Sequence, residues 1–219
     1  MDVIQAITDR RSINFFEPGK DLSDDKIKRL LDLAARAPSS MNLQPWRVIV
    51  VNDPERKKAL RKCAFDQPKV EEASAVLIMV ADPGSVEENL DKVLGSWIEL
   101  GYMKQEMKET YKGMAEALYG GEDSLVRRFF AVKNTALYAM CIMIAAKGFG
   151  LETHPMDGFD EGAIKKTFGI PENKIIPMLV AVGYLKSGIT LLPGAYRKDT
   201  KDFVTFNTYR LEEIWNGAE

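Results

Sequence analysis

Two stretches and a few cations hold most of the polar chemistry in this chain. The first stretch is Pro38-Ser39-Ser40-Met41-Asn42-Leu43-Gln44-Pro45-Trp46, in which two hydroxyls and two carboxamides lie between two prolines. That is dense neutral hydrogen-bonding capacity. Pro38 stops a helical pattern, because residue 37 is pushed out of the α region and Pro38 has no N–H to donate. Pro45 biases Gln44 towards extended backbone in the same way. A stiff polar loop at an element end is where ligand sites tend to lie, although a Ser/Asn-rich connector has the same composition. The second stretch, Leu151-Glu152-Thr153-His154-Pro155-Met156-Asp157-Gly158-Phe159, reads as a loop in which Gly158 allows backbone to approach a flat ligand closely. The cations are Arg10-Arg11, followed by Ser12, and Arg197-Lys198 near the other end of the chain. Such pairs bind anions by charge and by fixed N–H forks, and they are equally common as solvated surface residues.

Other chemistries find little material. His154 is the single histidine, Cys63 and Cys141 lie far apart, and there is no CxxC, which excludes Cys/His zinc sites and two-histidine catalysis. No GxGxxG follows a strand, and neither a Walker loop nor GxSxG is present. Asp24-Asp25 and Glu71-Glu72 read as solvated helix faces. A net charge of −2 gives no bulk basic surface for nucleic acid and no polybasic membrane patch. What remains is cations at both ends, a polar loop in mid-chain and apolar pocket material. That inventory suits an organic cofactor that carries the reaction itself.

The elements that must position these residues follow from the hydrophobic pattern. With 219 residues, 46% of them hydrophobic, the chain can bury one sizeable core. Residues 2–9 read as a helix with Val3, Ile4 and Ile7 on one face, and Phe15-Phe16 as paired aromatic anchors. Ser23 caps a helix over about 24–36. Trp46–Val51, Ala75–Ala81 and Ile175–Tyr184 read as buried strands. A helix runs from Asp53 to about Cys63, one helical turn covers 70–73, and Asp160 caps a helix to about Phe168. Residues 86–118 are helical in pattern but broken by Gly95, Gly101 and Gly113. Residues 124–147 form the strongest helix, buried all round, too short for a membrane span and stopped by Gly148 as its C′ residue. An edge strand over 202–206 and a helix over 209–216 end the chain. The N-terminus has no basic flank and no long apolar core, so it is no signal peptide and a cytoplasmic location is expected.

Four motifs occur together in order. Arg10-Arg11-Ser12 before an aromatic, Pro38-Ser39-Ser40-Met41-Asn42-Leu43-Gln44-Pro45-Trp46, Pro155-Met156-Asp157-Gly158-Phe159 and Arg197-Lys198 together resemble the nitroreductase family of FMN-dependent flavoenzymes. The likeness extends over nearly the whole chain, and the long Pro-Ser-Ser run is its most specific part. It implies an α+β fold, a three-layer α/β/α sandwich, in one domain that builds an intertwined homodimer with two FMN sites at its interface. It implies that Arg10 and Arg197, helped by Lys198, bind the FMN phosphate, with Arg11 and Ser12 along the phosphate and ribityl chain. Pro38, Ser39, Ser40 and Asn42 would reach the flavin from the other subunit. Gln67 and Lys69 would lie near the pyrimidine edge, and Pro155, Met156, Asp157 and Gly158 would border the ring.

The chain departs from the common family pattern at Asn14, where a cation is frequent. Asn supplies a hydrogen bond but no charge, so Lys69 is expected to compensate. The activity implied is hydride transfer from NAD(P)H, as co-substrate, to a nitroaromatic, quinone or enone in ping-pong order, without a catalytic protein side chain. A flavin-binding sensor or carrier, or another FMN reaction such as reductive dehalogenation or flavin breakdown, is the alternative. A mobile lid is expected around 100–125, with Tyr102, Met103, Met107, Tyr111, Met114 and Tyr119 lining the acceptor pocket.

Overall fold

Four apolar stretches supply the frame. In the computed structural model, which describes residues 2–209, they form one antiparallel sheet. Its strands are β1 (Trp46–Val51), β2 (Ala75–Ala81), β3 (Glu152–Met156) and β4 (Ile175–Gly183), in the order β1-β2-β4-β3. β2 is buried along its whole length, as an apolar run without alternation requires when both sheet faces are covered. Its side chains divide between two cores. Val76, Ile78 and Val80 face one, whereas Leu77 and Met79 face the other.

The first core is closed by α3 (Pro54–Cys63), the short α4 (Lys69–Glu72) and α8 (Glu161–Phe168). The second is closed by α2 (Asp24–Ala34) and α7 (Leu125–Gly148), where Trp46 stacks on Tyr138 at 4.8 Å. The result is the expected α/β/α sandwich. Beyond one end of the sheet, α5 (Ser85–Glu99), α6 (Lys108–Tyr119) and the start of α7 enclose a third cluster around Leu43, Leu94 and Phe130. Local chemistry sets the helix starts. Ser23, Asp53, Ser124 and Asp160 each accept a backbone N–H three residues on.

Several expectations are corrected. Leu151–Phe159 is not a loop throughout. Its first half is β3, an edge strand where Pro155, lacking an N–H, is tolerated. The expected strand at 202–206 is absent: a 3-10 turn spans Thr200–Asp202. The expected helix from 209 lies outside the described residues, apart from Tyr209. Gly95 and Gly113 sit inside α5 and α6 and break neither; the interruption is at Gly101, whose φ is +79°. Gly148 is the last helical residue of α7, and the left-handed position that ends it is Gly150, at φ +68°.

Phe15 and Phe16 do not anchor together, because extended backbone sends them to opposite sides; Phe16 is fully buried and Phe15 is exposed. Val3, Ile4 and Ile7 on α1 (Val3–Asp9) are exposed, as are Phe129, Leu137 and Met140 on α7, so α7 is not covered all round by its own chain. α7 is long and apolar enough to cross a membrane, contrary to the shorter span expected, but half of its most apolar window is packed inside the protein as the core helix. The chain divides by its contacts into two units, Met1–Ile189 and Thr190–Glu219.

Candidate functional site

Residues 12–14 run along the free edge of β3. Ser12 bridges Thr153 in parallel fashion and the Ile13 N–H donates to the Thr153 carbonyl at 3.2 Å. This brings Asn14 beside His154, which lies on the same sheet face as the buried Met156 two residues on. Lys69, at the first position of α4, completes the group. Its Nζ donates to Asn14 Oδ1 at 2.8 Å and contacts His154 Nε2 at 3.2 Å. His154 Nδ1 lies 2.7 Å from the Ile13 carbonyl. Two residues before α4, Gln67 Nε2 donates to the carbonyls of Gly158 at 2.7 Å and Ala64 at 3.1 Å. A Cβ at Gly158 would stand 3.2 Å from that Nε2, so glycine allows the Gln67 amide to close on the 157–158 turn. Gln67, Lys69, Asn14 and the end of β3 therefore form one surface.

Lys69 is taken into the fold without an ion pair among the described residues, as is Lys57, which donates to the carbonyls of Glu71 and Ala73. Lys174 and Lys147 each pair with a carboxylate, at Asp82 and Glu152. Lys69, also half-buried, meets only neutral acceptors among the described residues. Burial lowers its pKa from the ordinary lysine range. Burial, and then the Lys69 charge, also lower the His154 pKa, against the opposing hydrogen bond to Ile13. Arg10 has no carboxylate partner among the described residues; its one contact is a long 3.5 Å approach to Ser12 Oγ. Arg11 is partly used by the fold, since its Nη1 donates to the carbonyls of Thr8 at 2.7 Å and Arg10 at 3.1 Å at the end of α1.

The loop between α2 and β1 forms a second group. Met41, Asn42 and Gln44 all have left-handed backbone, at φ 49°, 54° and 48°, a conformation side chains disfavour. Such strain persists where surrounding structure over-determines it. Here Ser40 N–H donates to Asn134 Oδ1 at 3.1 Å, Ser40 Oγ meets Tyr119 Oη at 2.5 Å, and Ser39 Oγ accepts the Gln44 N–H at 2.9 Å. Gln44 was expected to be extended because Pro45 follows; the observed left-handed turn overrides that bias. Pro38 and Asn42 are exposed, with Asn42 Oδ1 3.3 Å from Gln44 Nε2. Among the described residues no hydrogen bond joins this loop to the Lys69 group.

Of the remaining expected residues, Met156 is buried in the first core, so only its backbone is available to a ligand, whereas Asp157 and Gly158 are exposed and Pro155 is half-buried. Arg197 and Lys198 are exposed in the second unit, where Arg197 Nη1 donates to the carbonyls of Ala195 and Tyr196. Met103 and Tyr119 are core residues of the third cluster, Tyr119 also lining a cavity with Ser40, Phe129 and Phe130, and Tyr111 is half-buried against Trp97, edge to face at 6.0 Å. Tyr102 and Met114 are exposed. Sequence reasoning missed His154, treated only as a lone histidine, and the loop anchors Asn134 and Tyr119. Reading 152–156 as a strand would have placed His154 on the face of Met156.

The family model described as Nitroreductase family matches residues 7–184. The chain belongs to the nitroreductase family. A Bacillus subtilis protein assigned as an NAD(P)H nitroreductase is 33% identical over 184 residues, covering 83% of this chain and 88% of its own length. An enone reductase of CLA biosynthesis from Lactiplantibacillus plantarum is 26% identical over 185 residues, covering 83% and 85%. The crystal structure of a protein from Exiguobacterium sibiricum, assigned as a nitroreductase and in complex with FMN, superposes with a TM-score of 0.82 at 26% identity over 94% of this chain and 97% of that one. This nitroreductase-family chain is therefore an oxidoreductase with the fold of its family.

Proposed function

We propose that this chain binds FMN at a site completed by a second copy of itself, takes hydride from NAD(P)H, and passes it in ping-pong order to a nitroaromatic, quinone or activated enone. The observation that carries the reading is Lys69, a half-buried cation held, among the described residues, by the neutral acceptors Asn14 and His154. Such a charge stabilises negative charge that arrives from outside the chain. FMN, when bound, supplies the two-electron chemistry.

The residues present fit that group. Arg10, which lacks a carboxylate partner, would hold the phosphate together with Arg197 and Lys198, and Arg11 and Ser12 would add donors along the chain that follows it. Gln67, with both Nε2 hydrogens committed to backbone carbonyls, keeps Oε1 as a free acceptor for an imide N–H. Lys69 keeps one N–H donor beyond the two it has placed. Pro155 and the exposed 157–158 backbone would border the ring. Ser39, Ser40 and Asn42 would come from the second copy. Exposed Val3, Ile4 and Ile7 on α1 and Phe129, Leu137 and Met140 on α7 support that copy, because apolar area of this kind is normally covered. A lid over 100–125, hinged at Gly101 and Gly120, would cover the acceptor.

The visible spectrum of the purified protein tests the reading directly. Flavin absorption with acceptor-dependent NAD(P)H oxidation, in a species of dimer mass by light scattering, is expected. Protein that stays colourless after incubation with FMN refutes it, and a flavin-loaded protein that oxidises no NAD(P)H with any of the three acceptor classes points to the sensor or carrier.

A further inference from the structure

We propose that His154 is a positioning residue for Lys69, whose imidazole fixes the Lys69 ammonium at the cofactor site and thereby sets how readily bound FMN is reduced. The inference rests on the FMN reading above and adds to it a residue that would act through Lys69.

The geometry assigns the protons. An ammonium group has donors only, so at 3.2 Å His154 Nε2 must be the acceptor. The ring proton is then on Nδ1, where it donates to the Ile13 carbonyl at 2.7 Å, a group that only accepts. The two contacts demand the same tautomer. That ring is held rigidly: His154 pairs with Ala181 in the sheet, and Ile13 is bound to β3 through Thr153. A lysine side chain is otherwise long and mobile, and a mobile charge is a weaker electrostatic device than a preorganised one. With Nζ held by His154 on one side and Asn14 on the other, the charge is fixed by partners that do not cancel it. A carboxylate in place of His154 would hold Lys69 as firmly but neutralise it. Burial together with the adjacent ammonium lowers the imidazole pKa, against the hydrogen bond to Ile13, which favours the neutral ring that can accept.

The test is a spectroscopic redox titration of the FMN-loaded protein, with His154→Leu, His154→Gln, Lys69→Met and the double variant His154→Leu/Lys69→Met. His154→Leu is expected to lower the reduced-to-oxidised ratio at a given potential by about tenfold, which is about 30 mV for a two-electron couple. His154→Gln, which retains an acceptor, should restore most of that loss. In the Lys69→Met background, His154→Leu should change the ratio by less than about twofold, because its effect passes through Lys69. An unchanged ratio in FMN-loaded His154→Leu, or the same shift with and without Lys69, overturns the proposal while leaving the FMN reading intact. Failure of the unaltered protein to take up FMN overturns the FMN reading instead. The imidazole assignment is read without any cofactor, and without a variant at 154. His154 is the only histidine in the chain, so its ¹⁵N resonances need no assignment. The neutral Nδ1-protonated form is expected near pH 7.5, with an Nε2 signal that moves in Lys69→Met. An Nε2-protonated ring, which cannot accept from Lys69, overturns the proposal even if His154→Leu fails to fold.

Discussion

Asn134→Leu should loosen the loop that follows α2 and weaken FMN binding. Asn134 is 1% exposed in the middle of α7. Its Oδ1 accepts the Ser40 N–H at 3.1 Å while its Nδ2 donates to the Phe130 carbonyl at 2.7 Å. Leucine has similar bulk, so the change removes an acceptor rather than opening a cavity. Leaving the Ser40 N–H unpaired costs about 1–3 kcal/mol. The loop it anchors contains three left-handed residues, Met41, Asn42 and Gln44. At about 1–2 kcal/mol each, their strain sums to about 3–6 kcal/mol. The contacts of Ser39 and Ser40 must hold that strain, and losing one of them is expected to release part of the turn. Urea unfolding should show a loss of about 1–3 kcal/mol. Restoring the turn on binding should draw a similar amount from FMN affinity, roughly a fivefold to 150-fold rise in Kd by fluorescence quenching. A stability loss in that range with Kd within twofold of the unaltered protein would refute the link between Asn134, the loop and the cofactor.

Three further outcomes are expected. Arg197→Ala should weaken FMN retention by about 1.5–3 kcal/mol, whereas Arg47→Ala should leave it unchanged, because Arg47 pairs with Asp82 and Glu88 away from the proposed site; equal dissociation constants would sink the phosphate assignment. Tyr111→Ala should lower the melting temperature, by about 1–3 kcal/mol of stability, and leave acceptor kinetics intact, since the ring packs on Trp97; altered kinetics at unchanged stability would return Tyr111 to the pocket wall. The lowered His154 pKa predicts a pH effect on stability. Below about 6.5 the unfolded chain binds a proton that the native imidazole does not. Stability is therefore full above that pH and falls as pH drops towards the depressed native value. His154→Gln should flatten this limb of a pH series of urea midpoints, and an unchanged slope would count against a neutral native imidazole.

Much was legible in the sequence because it depends on local chemistry. Apolar runs without alternation identified β1, β2 and β4, the capping residues Ser23 and Asp160 identified two helix starts, and the Pro-Ser-Ser stretch with its flanking cations pointed to the family. β3 was not legible, because a strand five residues long with Pro155 and His154 in it carries little local signal; its identity comes from pairing with β4 and from residues 12–13 along its other edge. The same is true of Phe15 and Phe16, adjacent in sequence and opposite in burial. The resemblance singled out Asn14 and Lys69, but nothing local marked His154 as their neighbour; the two contacts that join the three residues span 55 and 85 positions of the chain. Residue type determined that the protein carries cations, amides and hydroxyls suited to an anionic cofactor. That Lys69 is half-buried against Asn14 and His154, and which ring nitrogen faces it, only the tertiary structure decided, because hydrogen-bond geometry and burial are properties of segments brought together from distant parts of the chain.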